Sequence, residues 1–288
     1  MSLLQRAEVD DGACEEFDPD AAAAAHYQVL GREVFAAQSV FLSVSGRRGG
    51  DEVARVLATY ARCGFTPPPM LESDDLACQL AALAHLCAAE AESWEDNLAA
   101  IANSSCALQA QLLDDHLLRW LPALSEALQR QPFPLYVRSA ALLLGVVDDH
   151  VDHLGATMPA PTPLIAIHTP DPRAADTRLR EIADWLLAPV CAGFLLTHGE
   201  LQAIAAGAVL PHGFVDRHTM LMDMLRAAGA ADALPALLTA LEARATQATT
   251  AYARMAEEWV ALKPWVAPWI TRVARTTEML AAMRITSS

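Results

Sequence analysis

Hydrophobic positions recur at helical spacing along most of the chain. In the first clear segment the apolar residues lie four, three and four positions apart: Leu76, Leu80, Leu83 and Cys87. An acidic group precedes this segment, formed by Glu72, Asp74 and Asp75. Because carboxylates stabilise the positive N-terminal end of a helix, the pattern predicts a helix that begins near Asp74.

A second apolar stripe contains a proline. The stripe is formed by five leucines: Leu113, Leu117, Leu121, Leu124 and Leu128. Pro122 lacks a backbone N–H and its ring clashes with the preceding helical turn, so we expect it to kink or restart the helix after Trp120. The backbone exposed by that kink would leave a local notch beside the indole of Trp120.

A third stripe has the alternating spacing of a helix buried against other helices: Val137, Ala140, Leu144, Val147, Val151 and Leu154. Five prolines follow within residues 155–173, and further helical stripes come after them. Since no alternating β pattern competes, the sequence predicts an all-α protein, a helical bundle with an additional C-terminal helical region. The predicted parts are an acidic, flexible N-terminus (1–20), a helical module (21–155), a Pro-rich linker (156–175) and a C-terminal region (176–288) that packs on the module.

The charge of the chain is concentrated in its first half. Residues 1–155 hold 23 acidic and 9 basic side chains, whereas residues 156–288 hold 12 and 11. Nucleic acid is not an expected partner, because its phosphates would meet a surface of their own sign. A cationic partner suits such a surface better. The single lysine, Lys263, lies outside any Gly-rich loop, which excludes a nucleotidase of the Gly-x-x-x-x-Gly-Lys type.

Targeting signals and cysteine usage indicate the compartment. The N-terminal residues contain no basic segment followed by an apolar core, so we expect no export signal. No uncharged apolar stretch reaches about 20 residues, so we expect no membrane span. The six cysteines form no Cys-x-x-Cys pair and are expected to be reduced. These features together favour a cytoplasmic protein.

Candidate metal ligands occur between Asp148 and His153. His150 and His153 are three positions apart, and with Asp149 they could form the centre of a helical metal-dependent enzyme. A catalytic zinc site needs a third protein ligand and a pocket, and helical spacing turns these side chains mostly away from the apolar seam. We therefore expect no metal and no cofactor, and keep the metalloenzyme as the alternative. A further hypothesis is a scaffold that dimerises through Trp259 and Trp269.

Residues 43–50 form a Ser- and Gly-rich segment with the sequence Ser-Val-Ser-Gly-Arg-Arg-Gly-Gly. Segments of this composition can bind an anion or present a nucleophile. This one does not match the Gly-x-Ser-x-Gly pattern of a nucleophile elbow. In a helical chain it is better interpreted as a loop between helices.

Three short motifs follow one another within residues 26–154. They are Glu72-Ser-Asp-Asp-Leu76, Asp115-His-Leu-Leu-Arg-Trp-Leu-Pro122 and Pro132-Phe-Pro-Leu-Tyr136. Their order and spacing resemble the TorD/DmsD/NarJ group of cytoplasmic chaperones, which assist the maturation of molybdenum oxidoreductases. Residues 188–196 and 210–221 are similar to extended members of the group.

The resemblance implies a non-enzymatic chaperone with a TorD-like helical bundle. Such a protein would bind the apo catalytic subunit of a molybdopterin-containing oxidoreductase and its leader, which carries paired arginines before an apolar stretch. Binding would support cofactor insertion and delay export, and the chaperone would be a monomer or a homodimer. The matching motifs and the acidic first half assign client and leader binding to six residues: Glu72, Asp74, Asp75, His116, Arg119 and Trp120.

Overall fold

The computed structural model describes residues 18–211, 213 and 215–286. This part of the chain is mostly α-helical and contains no β-strand, which confirms the predicted all-α class. The helices in chain order are α1 (Pro19–Gln28), α2 (Gln38–Leu42), α3 (Asp51–Arg62), α4 (Leu76–Glu95), α5 (Ala99–Leu112), α6 (Leu118–Gln129), α7 (Pro134–Leu154), α8 (Leu179–Leu187), α9 (Pro189–Ala192), α10 (His198–Gly207), α11 (Arg217–Ala230), α12 (Leu234–Glu258) and α13 (Lys263–Thr286). Among the described residues, no helix is both long and apolar enough to cross a membrane.

Helix α4 begins close to the predicted position. Asp75 is its N-cap residue, and the first helical residue is Leu76. The neighbouring Asp74 connects this helix end to α2, because its carboxylate accepts a hydrogen bond from the Ser39 N–H at 2.8 Å and its carbonyl accepts one from the Gln38 N–H at 2.9 Å. The acidic group before α4 therefore joins two helices as well as marking a helix start.

The expected break at Pro122 is wrong. Helix α6 runs through Pro122, and the irregular backbone lies earlier, in a π-helical turn at Leu113–Leu117. The π-helical turn ends directly before α6. The backbone therefore departs from α-helical geometry before the proline and not at it. The expected notch is also missing, because Trp120 is completely buried.

The N-terminal and C-terminal parts of the described chain share one hydrophobic core. Helices α12 and α13 both pack on α6, and the Trp269 indole N–H donates a hydrogen bond to the Arg119 carbonyl at 3.1 Å. A buried ion pair adds to this contact: Arg244 Nη2 of α12 lies 2.9 Å from Glu126 Oε2 of α6. These contacts place α6 at the centre of the molecule.

The Pro-rich segment between α7 and α8 lies against the helical body. The Thr162 hydroxyl donates to the Asp114 carboxylate at 2.6 Å, and Arg272 of α13 donates to the Ile165 carbonyl at 2.6 Å. The segment is thus held at two points rather than extending freely. The division into four parts remains a prediction, and residues 1–17 of its first part lie outside the described residues.

Candidate client-binding site

A chain of buried hydrogen bonds connects four elements beneath the predicted site. The Trp120 indole N–H donates to Gln79 Oε1 at 3.2 Å, and Gln79 Nε2 donates to Gln38 Oε1 at 2.8 Å. Gln38 Nε2 in turn donates to Glu52 Oε2 at 2.8 Å. Because an amide nitrogen can only donate and an amide oxygen can only accept, the hydrogen bonds all run in one direction, from the indole to the Glu52 carboxylate. They join α6, α4, α2 and α3.

His116 enters this network in its neutral form. Its Nδ1 lies 3.2 Å from Gln38 Oε1 and its Nε2 lies 2.7 Å from Thr59 Oγ1. The Gln38 oxygen can only accept, so Nδ1 carries the proton and Nε2 accepts from the threonine hydroxyl. Burial, together with the charge of Arg119, lowers the pKa of His116 to about 4. The imidazole is therefore uncharged at neutral pH and works as a structural connector.

The three carboxylates before α4 have different environments. Asp74 is buried and bonded to α2, whereas Asp75 is half-buried and Glu72 is exposed. Asp75 Oδ1 lies 3.3 Å from Arg48 Nη2. Burial raises the pKa of Asp75 above its usual value, and the charge of Arg48 opposes that rise. Accessible negative charge at this end of α4 thus comes from Glu72 and Asp75.

The structure brings three of the six predicted residues together in the interior. Asp74, His116 and Trp120 have exposed fractions of 2%, 3% and 0%. They hold α2, α4 and α6 in register and present no surface to a client in this conformation. Accessible atoms remain on Glu72, Asp75 and Arg119, and a role of all six residues in client binding stays a prediction.

Sequence reasoning missed the two glutamines that connect the network. Gln79 lies three residues after Leu76 and four before Leu83, so a polar side chain interrupts an otherwise apolar helix stripe. That interruption could have indicated a buried hydrogen-bond network, because a buried amide needs hydrogen-bond partners. Gln38 gave no comparable signal, since α2 has only five residues and shows no periodicity.

Arg119 borders a cavity of about 370 Å³. The cavity lies between Glu52 and Arg55 of α3 and residues 163–165 of the Pro-rich segment. Burial lowers the pKa of Arg119 from its usual value. Among the described residues its Nε has no hydrogen-bond partner, while Nη1 donates to the Asp115 carbonyl at 3.4 Å. Arg119 thus places a charged side chain at the edge of a cavity that lies next to the buried network.

A larger apolar groove lies between α4 and α7, with a volume of about 560 Å³. Its apolar lining consists of Leu80, Leu83, Ala84, Cys87, Val146 and Val147. Helical spacing places two exposed side chains in line with it: Leu142 is one turn before Val146, and Trp94 is two turns after Cys87. We call this surface the α4/α7 groove.

One end of the α4/α7 groove is acidic. Asp149 lines it, and Glu90 of α4 interacts electrostatically with His153 of α7, so the C-terminal ends of the two helices meet there. Hydrogen bonds from Cys106 and Gln109 hold the pKa of Glu90 below its usual value. The negative ends of the helix dipoles add to these charges. The groove therefore combines an apolar floor with a negative end.

Residues 20–126 match the family model of the nitrate reductase delta subunit. This part of the chain is thus similar to the chaperones of that family. The family is non-catalytic and serves the maturation of molybdenum enzymes, as the motifs predicted. The match covers less than half of the 288 residues; it contains all six predicted site residues and ends before α7. No curated protein and no solved structure matches the chain.

The residues of the alternative metal site, Asp149, His150 and His153, line one edge of the α4/α7 groove. The rings of His150 and His153 stack with their centroids 6.4 Å apart. Burial, followed by the neighbouring His153, lowers the pKa of His150. Within residues 18–211, 213 and 215–286, no three His, Cys, Asp or Glu side chains are grouped as metal ligands would be. Asp149, His150 and His153 form a polar border of this apolar surface.

Proposed function

We propose that this chaperone binds the apo catalytic subunit of a molybdopterin-containing oxidoreductase through a leader in which paired arginines precede an apolar stretch. Binding holds the client ready for cofactor insertion and delays its export until assembly is complete. The chaperone acts in the cytoplasm, as its family type suggests. The observation that carries the proposal is the α4/α7 groove, where an apolar floor adjoins a negatively charged end.

The apolar floor supplies most of the binding energy. An apolar segment that buries about 300 Å² would gain roughly 7.5 kcal/mol at about 25 cal/mol per Å², before the cost of ordering the peptide is subtracted. An exposed carboxylate adds only about 0.2–1 kcal/mol for each arginine it meets. The negative end therefore orients the leader and speeds its encounter, whereas the floor holds it.

Equilibrium binding of a synthetic leader tests the proposal. The probe is a fluorescent peptide with two arginines followed by an apolar stretch, titrated with the full chain and followed by anisotropy. Val146→Asp places a charge on the groove floor and is expected to weaken binding by at least about tenfold, since an unpaired charge would have to be buried. Val260→Asp is the matched control, because Val260 is an exposed valine outside the groove.

Two results would count against the groove. In the first, Val146→Asp binds the peptide as tightly as the wild-type chain. In the second, Asp75→Lys abolishes binding while Val146→Asp does not, which would move the leader to the acidic residues before α4. A matching peptide in which both arginines are replaced by glutamine separates the contribution of charge from that of apolar burial.

A further inference from the structure

The Pro-rich segment forms one wall of the cavity beside Arg119. Residues 158–178 contain neither helix nor strand, although the chain is helical on both sides of them. Connections longer than about 15 residues without secondary structure are uncommon in compact domains, and many of them bind or cover a functional surface. Residues 163–165 of this connection line the cavity together with Glu52 and Arg55 of α3. A long irregular segment thus covers a surface next to a predicted client-binding residue.

One end of this wall is bound by a single buried carboxylate, Asp114. The Thr162 N–H donates to both oxygens of that carboxylate, at 3.1 and 3.2 Å, and the Thr162 hydroxyl donates to Oδ2 at 2.6 Å. The Trp265 indole N–H of α13 donates to Oδ1 at 2.8 Å and fixes the carboxylate. Thr162 precedes Pro163, which favours an extended backbone. Asp114 therefore binds the main chain and the hydroxyl of an extended peptide.

The other end of the wall is bound through a main-chain carbonyl. The Arg272 guanidinium donates to the Ile165 carbonyl at 2.6 Å and also to the Val190 carbonyl. The Ile165 side chain is 51% exposed and adds little to this contact. The segment is thus recognised mainly by its backbone and one hydroxyl. Many other extended peptides carry the same groups, so the surface is not specific for the chain's own segment.

Residues 163–165 leave the surface incompletely filled. A cavity of about 370 Å³ remains at this wall. Arg119 at its edge is half-buried, and its Nε has no hydrogen-bond partner within the part of the chain that the structure describes. Three carboxylates already act on the charge of Arg119: Glu52, Asp114 and Asp115. The unbonded Nε therefore needs a neutral acceptor, and a main-chain carbonyl of a peptide that entered the cavity would supply one.

We propose that the surface formed by Asp114, Arg119 and Arg272 is a docking site for an extended segment of the client polypeptide, and that residues 162–165 occupy it until the client displaces them. We call this surface the Asp114 site. The chain's own segment defines the chemistry of the occupant: a serine or threonine on Asp114, an aliphatic residue two positions later, and main-chain carbonyls for the arginines.

The position of the two partners in the chain supports this assignment. Asp114 and Arg119 lie within the residues that match the family model, whereas the segment that covers them lies outside that match. The inference rests on the proposed function only in that the occupant comes from the client. The Asp114 site itself is separate from the α4/α7 groove, since the two share no lining residue.

Hydrogen exchange followed by mass spectrometry tests the proposal on the full chain. The probe is a synthetic peptide that copies residues 159–168 and carries a heavy-isotope label, so that its mass separates it from the chain. The tethered segment competes at an effective concentration of about millimolar, and the peptide is therefore titrated through that range. We expect the peptide to raise amide exchange of the chain's own residues 160–168 at least about tenfold, because displacement exposes them to solvent.

A conservative pair of variants shows whether the bond to Asp114 holds the segment. Thr162→Val removes the hydroxyl, and it should lower the peptide concentration for half-maximal exchange about fivefold, since the resident segment loses one hydrogen bond. Thr169→Val is the matched control, because Thr169 belongs to the same segment and lies outside the cavity. Val146→Asp, in the α4/α7 groove, should leave displacement unchanged, so this test and the leader test fail independently.

Three outcomes would overturn the proposal. In the first, residues 160–168 exchange as slowly as α6 at every peptide concentration, which would make the segment a permanent part of the core. In the second, a peptide of the same composition in scrambled order displaces the segment equally well, which would show that the surface does not recognise this pattern. The third is an equal effect of Thr162→Val and Thr169→Val, which would remove Asp114 from the site.

Discussion

The buried network and the α4/α7 groove use adjoining parts of the surface of one helix, α4. Gln79 of α4 forms hydrogen bonds with α2 and α6, whereas Leu80, Ala84 and Cys87 line the groove beside α7. Leu83, four residues after Gln79, lies between these two parts of the helix surface. The motif residues Asp74, His116 and Trp120 are buried and do not line the groove. These three residues therefore belong to the scaffold, and the surface that we propose for the client lies further along α4.

The comparison predicts opposite behaviour for two tryptophans. Trp120 is buried in the network, so Trp120→Ala should lower the free energy of unfolding by roughly 3–5 kcal/mol, because it leaves a cavity and removes the N–H partner of Gln79. Urea denaturation followed by circular dichroism measures the change. A loss below about 1 kcal/mol would mean that the network contributes little to stability.

The pH dependence of the free energy of unfolding tests whether His116 is neutral in the folded chain. Its pKa is about 4 in the folded chain and 6.5 in the reference state, so the unfolded chain binds the proton first as the pH falls. The neutral imidazole makes its full contribution to the free energy of unfolding above pH 6.5. As the pH falls toward 4, that free energy decreases by about 3 kcal/mol.

A pair of histidine variants isolates that contribution. His116→Gln should flatten the pH dependence of the unfolding free energy between pH 6.5 and 4, because it removes the titrating group. His85→Gln replaces an exposed histidine and should leave the curve unchanged. If both variants gave the wild-type curve, His116 would not be the group responsible.

The smallest expected effect on stability belongs to the exposed tryptophan. Trp94 is 49% exposed at the acidic end of the groove, and Trp94→Ala should change the free energy of unfolding by no more than about 0.5 kcal/mol. The same change should weaken leader binding several-fold, because an aromatic contact is lost. A Trp94 variant that lost stability but kept its affinity for the peptide would contradict the expected difference between the two tryptophans.

Sequence periodicity predicted the helices but not how they are joined. The start of α4 and the buried seam of α7 follow from local spacing and charge, and both lie where the pattern placed them. The break expected at Pro122 is wrong, and the irregular turn lies ahead of it at Leu113–Leu117. Asp114 and His116 of this turn bond to distant segments, which a local rule does not contain. The link between Gln38 and Gln79 joins residues 41 positions apart and could not be inferred from either segment alone.

The site that we propose shares its chemistry, but not its residues, with the site predicted from the sequence. Carboxylates beside an apolar surface were expected, and the α4/α7 groove has both, with Glu90 and Asp149 in place of the acidic residues before α4. The indole of Trp120 was expected at a notch and is instead enclosed. Periodicity identifies which residues share a helix face, but which face stays uncovered depends on the packing of the whole bundle.

Photo-crosslinking of a leader peptide to the full chain tests the central claim most directly. The peptide carries two arginines, an apolar stretch and one photoreactive side chain within that stretch, and the linked chaperone residues are identified by mass spectrometry. We expect links to α4 and α7 at the turns that contain Leu83 and Val146. Links confined to the cavity beside Arg119, or to residues 72–75, would contradict the assignment of the leader to the groove.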